Sequence, residues 1–164
     1  MATDGRETVE SGSAGEVSGI LKDGVVGAAG GFVGTALMTV VLLIGNAIGA
    51  FDIASFASLA ALINLDAFFS PALTEALGYF IFLGGGMTTW PLLFAAVEPY
   101  LPGGSRARRG IAYGTVLWTG FALAFYDGYP IALYAVVTLV AHWAYGFGLG
   151  TVFDYFIERQ DTLV

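Results

Sequence analysis

The chain's one histidine, His142, lies in "AHWAYGFGLGTVFDYF", residues 141–156, beside a tryptophan, three alternating glycines and an otherwise almost wholly apolar run. Three kinds of chemistry are open to an imidazole in such surroundings. As a haem ligand it needs a second axial residue, and Met38 and Met87 are the candidates deep in the apolar stretches. As a proton relay it needs carboxylates nearby, and none of the 13 acidic residues lies in the middle of such a stretch. As a neutral ring it needs only a hydroxyl or a backbone carbonyl, and the composition favours this third reading. Helical spacing puts Thr138, Tyr145 and Gly146 on its face, while Thr35, Thr39 and Asn46 are polar enough to meet it from an earlier stretch.

Trp90, Trp118 and Trp143 form a second unusual set. Membrane tryptophans prefer the two interfaces, yet these three fall near the middle of uncharged runs. With His142 they can line a pocket for a planar, lipid-soluble ligand such as a quinone or an isoprenoid. The plainer alternative is that the rings fill space opposite glycines. "FLGGGMTTWP", residues 82–91, places three glycines and a proline where they weaken a helix, as a packed kink or as the broken segment of a transport site. Other chemistries fall away. Cysteine is absent, which excludes disulfides, thiolate metal sites and thiol nucleophiles. No phosphate-binding loop, Ser/His/Asp set or metal-spaced cluster is present, so no catalytic residue, metal or bound cofactor is expected. Six basic residues against 13 acidic ones, without a basic patch, set nucleic acid aside as a partner.

The elements that hold these residues follow from composition. Of 164 residues, 57% are hydrophobic and 12% charged, with a mean hydropathy of +0.77. A water-soluble domain carries about 25% charged residues, so the lipid bilayer is the expected surrounding. The fold class expected is all-α: an integral membrane bundle of four transmembrane helices plus one interfacial or re-entrant helix. Val25 to Ala50 gives 26 uncharged residues, Ala76 to Val97 gives 22, Gly110 to Tyr126 gives 17, and Ile131 to Phe153 gives 23. A crossing takes about 20. Ser70 and Pro71 suit the start of the second span, Glu75 and Glu98 are expected to be solvated at its ends, and Pro91 should kink it. The uncharged run Ile53 to Leu65 is too short to cross, so 52–65 is assigned to the interfacial helix, capped by Asp52. Residues 1–24 read as a disordered acidic tail, and 157–164 as a short cytoplasmic tail. The acidic, lysine-poor surface is of the kind that an extreme halophile uses.

Orientation follows from the cations. With four crossings, Arg6, Lys22, Arg106, Arg108, Arg109 and Arg159 all fall on one side, which places both termini in the cytoplasm and the chain in the cell membrane. Small residues four apart recur at Gly27/Gly31, Gly30/Gly34 and Gly45/Gly49, at Gly110/Gly114, and at Gly146/Gly150. Such rows let backbones approach where hydrophobic burial no longer drives association. They serve packing within the bundle or a seam for self-association. "GTALMTVVLL" from Gly34 also matches "GTVLWTGFAL" from Gly114 at five positions, which hints at two related hairpins.

The "GGFVGT" of residues 30–35 and the "HWAYGFGLGTVFDY" of residues 142–155 resemble a family of small four-span membrane proteins of unknown function from halophilic archaea. Some of its members are labelled as associated with terminal cytochrome oxidases. The resemblance covers residues 25 to 156 and implies the same four-span fold. Where that family often has a histidine in the second span, this chain has Phe80, so a paired-histidine site is not implied. The function expected is that of a non-catalytic subunit packing in a larger membrane complex, such as a respiratory one. The alternative is a small carrier or binder of an apolar ligand in the Trp90, Trp118, Trp143 and His142 region.

Overall fold

The computed structural model describes the backbone of residues 4–161 and the side chains of residues 24–156. Every regular element among them is helical: α1 (Asp4–Ala47), α2 (Ala57–Ala61), α3 (Pro71–Met87), α4 (Thr89–Val97), α5 (Arg106–Ala124) and α6 (Ile131–Asp161). Short 3₁₀ turns lie at Ile53–Phe56, Leu65–Ala67 and Glu98–Tyr100. The expected tails over 1–24 and 157–164, with Arg6, Lys22 and Arg159, lie outside the fully described residues, Gly24 apart.

Three stretches, Gly24–Ala47, Pro71–Tyr100 and Ile131–Phe156, are long and apolar enough to cross a membrane, where four were expected. The exception is 110–126. Its helix, α5, begins at Arg106, so three arginines occupy the first turn and the uncharged remainder, Gly110 to Ala124, is 15 residues. That falls short of the roughly 20 that a crossing requires on its own. The outward faces, that of α5 beyond its first turn included, are apolar, with Val25, Val40, Ile44, Val116, Leu123 and Val136 all exposed.

α6 is the hub. On one face of it, His142, Gly146 and Gly150 receive α5, and a Cβ at Gly110 would land on the Gly146 carbonyl, one at Gly114 on the His142 carbonyl. On the neighbouring face, α1 lays Gly30 against Leu149 and Gly34 against Tyr145. The two matching stretches that begin at Gly34 and Gly114 therefore both dock on α6. Gly31 and Gly27 instead meet α3 and α4, at the Gly86 carbonyl and Pro91. Gly45 packs against Val137, whereas Gly49 lies beyond the helix at φ +72°, with open space around it. There only glycine turns the chain without strain.

The second of these stretches is broken, as its glycines and proline suggest. α3 stops at Met87, and Thr88 sits between the helices at φ −120°, ψ −71° with its hydroxyl on the Gly84 carbonyl at 2.7 Å. Pro91 has no N–H to give, so it is tolerated in the first turn of α4. Tyrosines from the hub side bind carbonyls at the break: Tyr145 Oη donates to Gly86 at 2.9 Å and Tyr113 Oη to Trp90 at 2.8 Å. In an apolar surrounding such compensation is what makes a broken helix viable. At the start of α3, Pro71 occupies the first turn as expected. Ser70 caps by position only: its side chain makes no cap bond, and its carbonyl accepts from Thr74 instead.

Residues 51–70 fold back on α3. Asp52 Oδ1 accepts from Ala54 N at 2.9 Å, the expected cap, but the helix is shorter than 52–65 and breaks at Asn64, whose φ is +63°. Phe56 is fully buried, its carbonyl so close to Gly78 that no Cβ fits there. Its ring joins Phe82 at 4.5 Å and Phe125 at 5.7 Å, which ties this segment to both α3 and the end of α5.

Candidate functional site

The backbones of α3 and α5 stand apart, and the gap between them is a cavity of about 380 Å³. Its floor is buried: Thr35 and Met38 of α1, Gly86 of α3, Phe121 of α5, and His142 and Tyr145 of α6. Ile81, Trp90, Gly120 and Ala124 line it and are exposed, so they form its rim. The wall is almost wholly apolar, and the volume falls within the roughly 300–1,000 Å³ typical of small-molecule sites.

Two of the four residues expected to share a pocket are in it, His142 and Trp90. Trp118 and Trp143 are not. They brace α5 against α6 instead, Trp118 Nε1 donating to Thr138 Oγ1 at 3.0 Å and Trp143 Nε1 to Thr115 Oγ1 at 2.9 Å. A buried or half-buried indole N–H needs a partner, and threonines at matching depth provide it.

His142 is 4% exposed. Its Nδ1 lies 2.7 Å from the Thr138 carbonyl, one turn back on its own helix, and its ring packs against Phe121 at 4.7 Å. None of the three polar residues expected from α1 bonds it. Thr39 Oγ1 donates to the Thr35 carbonyl at 2.7 Å and lies 3.0 Å from Tyr79 Oη, while Asn46 Oδ1 accepts from Ile53 N at 2.9 Å. Thr35 shares the cavity with His142 and its Oγ1 is buried with no partner among the described residues. An unmade bond of that kind costs about 1–3 kcal/mol, and it marks this wall as unfinished. Gly86 leaves the room for it, since a Cβ there would strike that hydroxyl. Sequence reasoning had no signal for the orphan, because a threonine in a helix ordinarily bonds the turn before it.

A second polar cluster closes one end of the bundle. Glu98 was expected to be solvated; it is buried and pairs with Arg109, with Arg106 Nε at 3.7 Å. Asp154 of α6 accepts the backbone N–H groups of Arg106 and Ala107, both at 3.1 Å, and so caps α5 from outside. Ser105 caps it too, through Arg108 N at 3.3 Å. Among the described residues no three His, Cys, Asp or Glu side chains gather as a metal cluster.

No curated protein and no solved structure matches the chain. Residues 21–164, which hold the apolar part of α1, all of α2 to α6 and both polar clusters, match a family of unknown function, DUF6789, and the chain belongs to that family.

Proposed function

We propose that this chain is a four-span protein of the cell membrane, with both termini cytoplasmic, that binds a small apolar ligand in the gap between α3 and α5. The carrying observation is the cavity itself: apolar, of ligand size, and walled by a buried hydroxyl that no described residue satisfies. The lining offers one imidazole and no carboxylate, which suits holding a ligand better than transforming it. The accessory-subunit reading rests on the lack of a catalytic set and on the abundance of close-packing glycines. The glycines lose that weight, because α1 uses its rows against α3, α4 and α6, and α5 uses its own against α6.

Four crossings are supported by how α5 lies on α6. Arg106 sits beside Gly150 at one end, and the Tyr134 hydroxyl reaches the Ala122 carbonyl at 3.1 Å at the other. The partnered length of α6, residues 134 to 150, rises about 25 Å at 1.5 Å per residue. A helix laid along that length shares its depth. Two of the three arginines that spoil its hydropathy, Arg106 and Arg109, face Glu98 and Asp154 at the end assigned to the cytoplasm. The chain has no cysteine, so single cysteines report topology without background. Gly104→Cys is expected to react with a membrane-impermeant thiol reagent only after the cells are opened, and Gly128→Cys in intact cells. Reaction of both in intact cells defeats the four-span arrangement.

Ligand binding is tested by native mass spectrometry of protein extracted in mild detergent. A stoichiometric apolar adduct, lost on Gly120→Leu at the rim, is the expected result. A bare chain, or one seen solely within a larger assembly, defeats the binding reading, and a Soret band in the same sample would put haem at His142.

A further inference from the structure

Three polar atoms decide which head group the cavity takes. The first is Thr35 Oγ1. Thr39, Thr74, Thr88, Thr115, Thr138 and Thr151 each donate to the carbonyl four residues back, at 2.7–3.1 Å. Thr35 does not, so its hydroxyl is free to donate or accept within the cavity wall. Its counterpart in the matching stretch, Thr115, is saturated by Ile111 and Trp143. The second is His142 Nε2. A carbonyl only accepts, so the bond to Thr138 assigns the ring proton to Nδ1 and leaves Nε2 with a lone pair. No described group bonds that nitrogen, and no carboxylate lines the cavity to hold a charged ring. The third, Trp90 Nε1 at the rim, is a donor without a protein partner among the described residues.

The floor therefore presents one obligate acceptor and one free hydroxyl. A ligand carbonyl has nothing to give a lone pair. A ligand hydroxyl can donate its proton to His142 Nε2, and its oxygen can accept from Thr35 once that hydroxyl turns off Gly86 into the cavity. We infer that the cavity selects a lipid-soluble hydroxyl compound, an isoprenoid alcohol or a quinol, over the corresponding ether or quinone. This rests on the ligand-binding reading above. The hydroxyl-bearing head occupies the 380 Å³ cavity, and the tail leaves between Ile81 and Trp90 on one side and Gly120 and Ala124 on the other. The Trp90 N–H then meets a second ligand oxygen where there is one, as in a quinol.

The test is a tryptophan-fluorescence titration of the full chain in nanodiscs with four probes: geranylgeraniol, its methyl ether, a decyl quinol and the matching decyl quinone. Geranylgeraniol is expected to bind roughly tenfold tighter than its ether, and the quinol tighter than the quinone by a similar factor, as one buried polar group left unpaired implies. The tighter of the two hydroxyl probes names the source. Thr35→Val, close in shape and losing no bond, should bring each pair to within about twofold, and His142→Phe should do the same where it folds. Equal binding within both pairs in the native chain, or a preference for ether or quinone, overturns hydroxyl selection while leaving the binding site standing. Failure of all four probes to bind overturns the binding site itself.

Discussion

Gly146→Ala is expected to destabilise the bundle by about 2–3 kcal/mol, although the change adds a single methyl group. The reason is what that methyl meets. Gly146 and Gly110 face each other so closely that the Cβ of either lands on the other's carbonyl, and backbone cannot yield as a side-chain tip does. In hydrocarbon, helices are held by close approach and dispersion, so forcing α5 off α6 forfeits the contacts that join them. The same substitution at Gly84, which faces open space, should stabilise by about 0.5–1 kcal/mol through helix propensity alone. Thermal unfolding in mild detergent compares the two, and the informative quantity is the opposite sign. If both alanines behave alike, the α5–α6 seam is not what the geometry says.

That seam also shows which features of the fold can be read from a sequence. The glycine spacing announces close approach but not its partner. Gly30 and Gly34 face α6 while Gly27 and Gly31, on the same helix, face α3 and α4, and nothing local distinguishes the two rows. Helical periodicity put His142 on one face with Thr138, Tyr145 and Gly146, and all four do look into the bundle. Hydropathy recovers α1, the α3–α4 pair and α6, because their own residues carry the signal. It fails for α5, where Arg106 and Arg109 are answered by Glu98 and Asp154, 8 and 48 positions from Arg106 in the chain. Charge compensation across helices is invisible to any local window.

The candidate site was half legible for a similar reason. Mid-stretch tryptophans marked a region, yet the sequence does not say which ring turns to a cavity and which to a threonine. Trp118 and Trp143 have Thr138 and Thr115 at the same depth on the facing helix; Trp90 sits at a helix break, with no such partner. Thr35 is the opposite case. Its residue type is unremarkable for a helix, and only the packing of Gly86 against it shows that its hydroxyl is left over.

Glu98→Ala carries the other large effect, and it bears on the proposed crossing of α5. Removing one partner from a buried ion pair costs about 3–5 kcal/mol where both charges are dry. Here Glu98 is nearly buried, but its arginines remain about one third exposed, with side-chain accessibilities of 31% and 32%. Solvent screening reduces the expected loss to about 2 kcal/mol. Asp154→Ala should cost about 1–2 kcal/mol, since it uncaps the first turn of α5. The double variant should lose less than the sum, because both carboxylates share Arg106. Molar salt, with a screening length near 3 Å, should narrow the gap between Glu98→Ala and the native chain, whereas it should leave the Gly146→Ala loss untouched. Denaturation in detergent at low and high salt separates these outcomes. A Glu98→Ala protein as stable as the native one at low salt would mean that the arginines of α5 find their compensation in water or lipid head groups. In that case the first turn of α5 lies outside the bundle's protection, and a 15-residue apolar helix is left to cross unaided.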